Sequence, residues 1–293
     1  MKIKESFLRK LFIVFNTLLL SAIALIMLYP IVYVLFASLS NSVKLMSYSG
    51  VLWKPLELNF EAYRSVSKNP MIISGYINTL QIVLISLVIN IVLTSIAAYF
   101  FSRKNVLFQK PIFFYVIFTM YFSGGMIPFF LTVKNIGLFN SMWAVILPTA
   151  ISTYNMIVMK TSLESIPDSI EEAAKIDGAS HLQILFLVIL PLSLPILSVM
   201  VLYYAVAHWN AWFNAMIFLQ DREKFPLQLI LREILIQNNT ELMNQNANEM
   251  EAQAISESIK YAVIIVATLP ILCVYPFLQK FFVKGAMTGA VKE

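Results

Sequence analysis

Residues 165–191 read SIPDSIEEAAKIDGASHLQILFLVILP, and the stretch changes character halfway along. Its first half is polar and helix-forming, and its second half is continuously apolar. Pro167 suits a first-turn position, where its missing N–H is not needed. Ile170, Ala173 and Ala174 then fall on one face, and Glu171 stands four residues before Lys175, the spacing of a helical ion pair. Gly178 can take φ > 0 and stop the helix. Ser180, with Gln183 three residues later, reads as a capping box that opens a second helix. That helix is expected to run without interruption into the apolar stretch. The expected product is a short, semi-amphipathic helix rigidly attached to a much more apolar one. Ala173 and Ala174 allow another surface to approach closely, while Glu171, Glu172 and Asp177 offer carboxylates. A solvated surface helix with no partner satisfies the same pattern.

Outside this stretch the chain is written for lipid. Of 293 residues, 59% are hydrophobic and 13% are charged, against roughly 45–50% and 25% in soluble domains. A spanning helix needs about 20 mostly apolar residues. Charge-free intervals at 11–43, 69–102, 111–133, 135–159, 178–220 and 261–279 each hold one. Helices are expected near 12–38, 77–101, 112–132, 141–161, 183–208 and 260–280, making six spans. The first is too long for the apolar core of a cleaved signal peptide, usually about 7–15 residues, so it is read as an anchor. Pro191 and Pro195 are expected to kink the fifth span, and Gly124, Gly125 and Pro128 to interrupt the outer half of the third.

The formal charge of +5 raises the question of nucleic acid. Position answers it. With both termini inside, the inner segments 1–10, 102–110, 160–182 and 280–293 hold 12 Lys and Arg in 56 residues. The outer segments 40–76, 133–140 and 208–260 hold 9 in 98. This is the bias that keeps basic residues in the cytoplasm, and no nucleic-acid partner is needed to explain the charge. The organisation expected is a tail and first span at 1–40, an external loop at 41–76, a core at 77–281 and a cytoplasmic tail at 282–293. Within the core lie a cytoplasmic loop at 165–182 and an external loop at 209–258. The single cysteine, Cys273, excludes an intrachain disulfide framework.

Glu172-Ala173-Ala174, three residues, Gly178, nine residues, then Val188-Ile189-Leu190-Pro191 resembles the EAA motif of bacterial ATP-binding-cassette importer permeases. The family pattern has Ile where this chain has Val188. Glu-Ala-Ala-Lys-Ile-Asp-Gly-Ala at 172–179 is similar to the carbohydrate-uptake, MalG-like branch. The segments 208–214 (HWNAWFN) and 226–233 (PLQLILRE) resemble the LplC/YtcP-type permeases in particular. The end Lys284-Gly285-Ala286-Met287-Thr288-Gly289-Ala290 looks like the family's C-terminal tail, departing from it at Glu293.

The resemblance implies an all-α, type I permease that moves a saccharide, of oligosaccharide size, by alternating access. It implies a second homologous permease as heterodimer partner, two ATPase subunits and an extracytoplasmic solute-binding lipoprotein, in the cytoplasmic membrane of a Gram-positive bacterium. Glu171, Glu172, Ala173, Ala174, Asp177, Gly178 and Pro191 are then the residues that couple to the ATPase. An importer for amino acids, peptides or metals shares the loop and stays open as the alternative.

The chain itself has no Gly-x4-Gly-Lys-Ser/Thr phosphate loop among its eight glycines. It has no cluster with metal-ligand spacing either, since His181 and His208 lie at opposite ends of one span. No cofactor or catalytic residue is therefore expected, and ATP with magnesium belongs to the partner ATPase. Tyr203, Tyr204, His208, Trp209, Asn210 and Trp212 gather near the external end of the fifth span. Aromatic faces and amides suit a sugar path, with Tyr203 and Asn210 sharing a face, but an interfacial aromatic belt accounts for the same residues. The loop at 209–258 is either a solvated spacer or a segment reaching a binding protein.

Overall fold

The computed structural model describes residues 7–104, 106–241, 258–273 and 276. The expectations for the tail at 282–293 and for residues 242–257 of the external loop lie outside the described residues. No strand occurs among the described residues. An isolated bridge between Ser40 and Leu58 is the extended pairing recorded.

The chain divides into two compact units, residues 1–69 with 233–268, and residues 70–232 with 269–293. The first carries α1 (Phe7–Ser38), α2 (Ser42–Met46) and α3 (Glu61–Lys68). Helix α1 is apolar on all sides and exposed along nearly its whole length, which is stable only with lipid as its solvent. At its end Ala37, Leu45 and Leu52 are buried together, with Tyr33, Phe36, Leu56 and Tyr261 around them. Ser40 Oγ accepts the Leu56 N–H at 2.9 Å, and Asn41 caps α2.

The second unit is built on α4 (Pro70–Ser102), which begins at Pro70 rather than at 77. At 1.5 Å per residue its 33 residues span about 50 Å. Thr79, Ser86, Asn90, Thr94 and Ser95 are all buried, on the side facing protein rather than lipid. Several find partners there. Asn90 Nδ2 donates to the Thr149 carbonyl at 2.8 Å, Thr94 and Tyr204 hydroxyls lie 2.7 Å apart, and Thr79 Oγ1 accepts the Leu227 N–H at 2.8 Å. Small hydroxyl side chains of this kind let helix backbones close up. Helices α8 (Thr153–Leu163) and α11 (Leu194–Trp209) pack on α4. Their shared core includes Ala98, Met156, Met159, Leu163, Ile184, Ile189 and Met200.

Three expected spans are not straight helices. The third is α5 (Gln109–Tyr121) and α6 (Met126–Asn135), bent by 114° across a break at which Gly125 has φ +89°. The fourth, expected as one helix over 141–161, is the short α7 (Trp143–Ile146), a 3-10 turn at Leu147–Thr149 and then α8. Pro148 in that turn cannot donate to a helical ladder. The fifth was expected to run on from the capping box and to kink at Pro191 and Pro195. The kink is present: α10 (His181–Leu192) meets α11 at 90° around Ser193, and α10 also contains an unexpected π-helical stretch at Ile184–Ile189. Pro191 and Pro195 flank that break and remove its backbone donors. The sixth is described as α14 (Ser258–Cys273). Two helices, α1 and α4, are long and apolar enough to cross a membrane unbroken, and each bent pair adds one if counted as a single span.

The start of the expected external loop is folded. Helices α12 (Phe213–Phe218) and α13 (Leu227–Glu241) bury Phe218, Leu219, Phe225, Leu227 and Leu229–Leu231. A solvated spacer therefore does not describe residues 209–232. Asn78 Nδ2 donates to the Glu223 and Phe225 carbonyls at 2.6 and 3.1 Å, fixing this segment at the N-terminal end of α4. Gly75 permits the approach: a Cβ there would lie 2.5 Å from Ile230 Cδ1 and 3.1 Å from the Leu227 Cα.

Because the Leu227 backbone cannot yield as Ile230 can, Gly75→Ala should cost about 1–3 kcal/mol of stability. Gly124→Ala, with open space around it, should leave stability unchanged. Thermal unfolding of both variants in detergent checks the contrast.

Candidate functional site: the helix–glycine–helix loop

Helix α9 (Asp168–Ile176) begins after Pro167, which sits at the cap with ψ 135°, one position earlier than expected. Asp168 and Glu171 occupy its first turn, where carboxylates complement the helix dipole. Its end is a Schellman motif. Gly178 takes φ +82°, its N–H donates to the Lys175 carbonyl at 3.0 Å, and the Ala179 N–H reaches back to the Ala174 carbonyl at 3.0 Å. The next residue, Ser180, forms the expected capping box. Its N–H donates to Gln183 Oε1 at 2.8 Å and its Oγ accepts the Gln183 N–H at 3.4 Å. The two helices thus share a junction whose backbone groups are satisfied within five residues.

What seats α9 was not visible in the loop itself. Arg103, just past the end of α4, places Nη1 2.5 Å from Glu171 Oε2, with the two side chains 9% and 8% exposed. Its Nη2 donates to the Leu163 carbonyl at 3.2 Å and its Nε to Ser102 Oγ at 3.1 Å. Its guanidinium carbon lies 5.1 Å from the Tyr99 ring centroid. Glu171 takes a second cation, Lys175, at 2.8 Å, and the exposed Lys104 pairs with Asp168 at 2.7 Å. One arginine therefore joins α4, the end of α8 and α9. Below them a cleft of about 750 Å³ is lined by Tyr99, Arg103, Lys104, Glu171, Lys175 and His181 among others.

Burial alone would raise the Glu171 carboxyl, but hydrogen bonds from Lys175 and Arg103 reverse this and hold it below its ordinary value. Lys104 similarly lowers the Asp168 carboxyl through their hydrogen bond. The stabilisation from Glu171 is complete above the ordinary carboxylate pKa and is lost as pH falls through the lowered one.

The expected coupling residues separate into two groups. Glu171 is buried and engaged inside the chain, so it does not offer its carboxylate outward as the sequence reading had it. Ala174 and Ile170 are half-buried toward the core, whereas Ala173 is exposed with Glu172, Asp177 and Gly178. Ala173, about 60° from Ile170 around the helix axis, is thus exposed where the sequence reading grouped it with Ile170 and Ala174. Pro191 lies beyond the π-helical stretch and is not part of the loop. Ile176, 86% exposed on the outer side, was missed by the sequence reading. So was Arg103, although its signal was present as the first charge after a 34-residue neutral interval.

At the other end of α4 the aromatic group also divides. Tyr204, His208 and Trp209 are buried, while Tyr203 and Asn210 are exposed and Trp212 is half-buried. The Tyr204 hydroxyl touches Thr94 and accepts the Ser152 N–H at 3.0 Å, which makes it a brace between α4, the start of α8 and α11. Trp209 packs edge-on to Tyr76 at 6.1 Å.

Removing one member of a buried pair strands the other, typically costing about 3–5 kcal/mol. Arg103→Ala or Glu171→Ala should therefore loosen residues 165–182, read as faster hydrogen exchange across α9. The double variant should cost less than the sum of the two. In the wild type, α9 protection should persist at neutral pH and fall only below the ordinary carboxylate value of 4.5.

The geometry of this loop can be set beside known proteins. A family model described as binding-protein-dependent transport system inner membrane component matches residues 90–287. The polygalacturonan/rhamnogalacturonan transport system permease protein YtcP of Bacillus subtilis is 42% identical over 271 residues, covering 92% of this chain and 94% of its own. Protein LplC of the same organism is 37% identical over 284 residues, covering 97% and 95%. One chain of the crystal structure of a bacterial ABC transporter, involved in the import of the acidic polysaccharide alginate, superimposes with a TM-score of 0.85. It is 32% identical, and the match covers 96% of this chain and all of that one. With a family match that takes in the helix–glycine–helix loop and most of the chain, this protein belongs to the binding-protein-dependent transport system inner membrane components.

Proposed function

We propose that this chain is a permease subunit of an ATP-binding-cassette importer that carries an oligosaccharide across the cytoplasmic membrane of a Gram-positive bacterium. The observation that carries the reading is α9, locked to α4 by Arg103 and to α10 by the Schellman motif and capping box. A partner pressing on its exposed side, Glu172, Ala173, Ile176 and Asp177, moves a body that is already rigid. The name of YtcP, which speaks of polygalacturonan and rhamnogalacturonan transport, and that of the alginate importer support a saccharide as the cargo.

In this reading six segments cross the membrane with both termini inside. A second permease, two ATPase subunits that bind ATP and magnesium, and an extracytoplasmic binding lipoprotein complete the machine. Closure of the ATPase pair pushes α9, and the push reaches α10. The 90° break at Ser193 sets where that motion is redirected, so α10 and α11 act as two levers rather than one rod. Alternating access follows from the relative movement of α4, α8 and α11 around their small buried side chains.

Ile176→Glu, on an exposed position, should leave the fold intact and reduce ATPase co-purification and ATP-driven oligosaccharide uptake by at least tenfold. Gly178→Pro should do the same, because proline cannot adopt φ +82°, while membrane insertion is retained. Uptake into proteoliposomes and the stoichiometry of the purified complex are the measurements. Normal coupling in both variants would remove the docking assignment.

A further inference from the structure

Arg232 is placed unlike Arg103. It lies in α13, with its guanidinium carbon 3.6 Å from the centroid of the Trp212 ring. Its Nη1 is buried and has no hydrogen-bond acceptor among the described residues. Both sides of the stack are held in place. Leu227, Leu229, Ile230 and Leu231 anchor the first turns of α13, and the Leu227 N–H is bonded to Thr79. Trp212 is carried between α11 and α12, the latter closed by the buried Phe218.

The energetics of this arrangement are incomplete as they stand. A guanidinium over an indole face is attracted by the ring's electron-rich face, but that contact leaves the buried Nη1 without an acceptor among the described residues. A buried donor left unpaired costs about 1–3 kcal/mol, and more when it is charged. The guanidinium remains charged at any physiological pH. Its stacking on Trp212 fixes the plane of the fork, which reduces the entropy lost when an acceptor arrives. The group that matches such a fork is a planar carboxylate, bound through parallel N–H···O contacts.

Position narrows the source of that carboxylate. The segment holding Arg232 is tied to Asn78 and Thr79, at the N-terminal end of α4. Arg103 and α9 are toward the opposite end, some 25 residues further along the chain from Asn78, or about 37 Å. Arg232 therefore stands on the side at which an importer receives its cargo. An aromatic ring beside a cation-presented N–H edge is a chemistry suited to a sugar that carries a carboxyl group.

We infer that Arg232, oriented by Trp212, is a specificity residue that binds the carboxylate of a uronic acid unit as an acidic oligosaccharide enters the permease. This inference rests on the saccharide reading above and deepens it from a sugar to an acidic sugar.

The test uses the intact complex with its binding protein in proteoliposomes, loaded with ATP. Uptake of trigalacturonate is compared with uptake of its methyl ester, which keeps the sugar and removes the charge. The wild type should favour the free acid. Arg232→Gln should lower the acid-to-ester uptake ratio at least tenfold. Arg232→Lys, which keeps the charge and loses the fork, should fall between them. Because both substrates pass through the same binding protein, its own preference cancels in the comparison between variants.

An unchanged ratio in Arg232→Gln, or equal loss of both substrates, would overturn the inference. Loss of the second permease from the Arg232→Gln complex would also overturn it, by assigning the fork to a carboxylate of that partner. A wild-type complex that takes up a neutral oligosaccharide but not trigalacturonate overturns this inference alone. One that takes up amino acids or peptides and no saccharide overturns the saccharide reading as well.

Discussion

A polar group that enters the hydrocarbon of a bilayer must find its partner within the protein, because lipid supplies none. Helix α4 is organised by that constraint. Apart from Pro70 and Gln81 its exposed positions are Leu, Ile and Val, while Thr79, Ser86, Asn90, Thr94 and Ser95 turn inward. Asn90, Thr94 and Thr79 meet partners from distant parts of the chain, the Thr149 carbonyl, the Tyr204 hydroxyl and the Leu227 amide, while Ser86 Oγ and Asn90 Oδ1 have none among the described residues. Each of these bonds positions another element. Thr149 stands at the break before α8, Tyr204 is on α11, and Leu227 opens α13. The contacts hold the helices in register where apolar packing alone is permissive.

The two ends of α4 use charge in different ways. At one end each of the three guanidinium nitrogens of Arg103 has an acceptor, in Glu171, the Leu163 carbonyl and Ser102. Those contacts tie the loop to α4 and to the end of α8. At the other end Arg232 is oriented by a ring but leaves Nη1 unsatisfied. The chain also holds two broken helices, with bends of 114° and 90° where Gly125, Pro191 and Pro195 weaken the backbone ladder. Such breaks are tolerated at membrane depth when neighbouring protein covers them, and they are where a helical bundle can change shape.

Much of the functional loop was legible from residues 165–191. The capping box at Ser180 and Gln183, the left-handed Gly178 and the Glu171–Lys175 pair are all local chemistry, decided within four or five residues. The family motif occupies the same stretch. Arg103 was not legible as a partner of Glu171, since 68 positions separate them and no periodicity links them. The same holds for Tyr204, which composition placed among candidate sugar contacts. A tyrosine that braces two helices and one that meets a substrate look alike until their neighbours are known.

The sequence by itself determined that most of this chain is solvated by lipid, that α1 and α4 are long apolar helices, and that a helix–glycine–helix junction interrupts the apolar pattern. These follow from residue type and short-range spacing, because transfer free energy and backbone conformation are local properties. Only the tertiary structure decided which way α9 faces, which of its carboxylates is engaged internally, and that the kink expected at Pro191 and Pro195 is a turn of 90°. Only it brought Arg232 onto Trp212. Those outcomes depend on which buried polar groups meet across the fold, and a linear pattern does not encode that meeting.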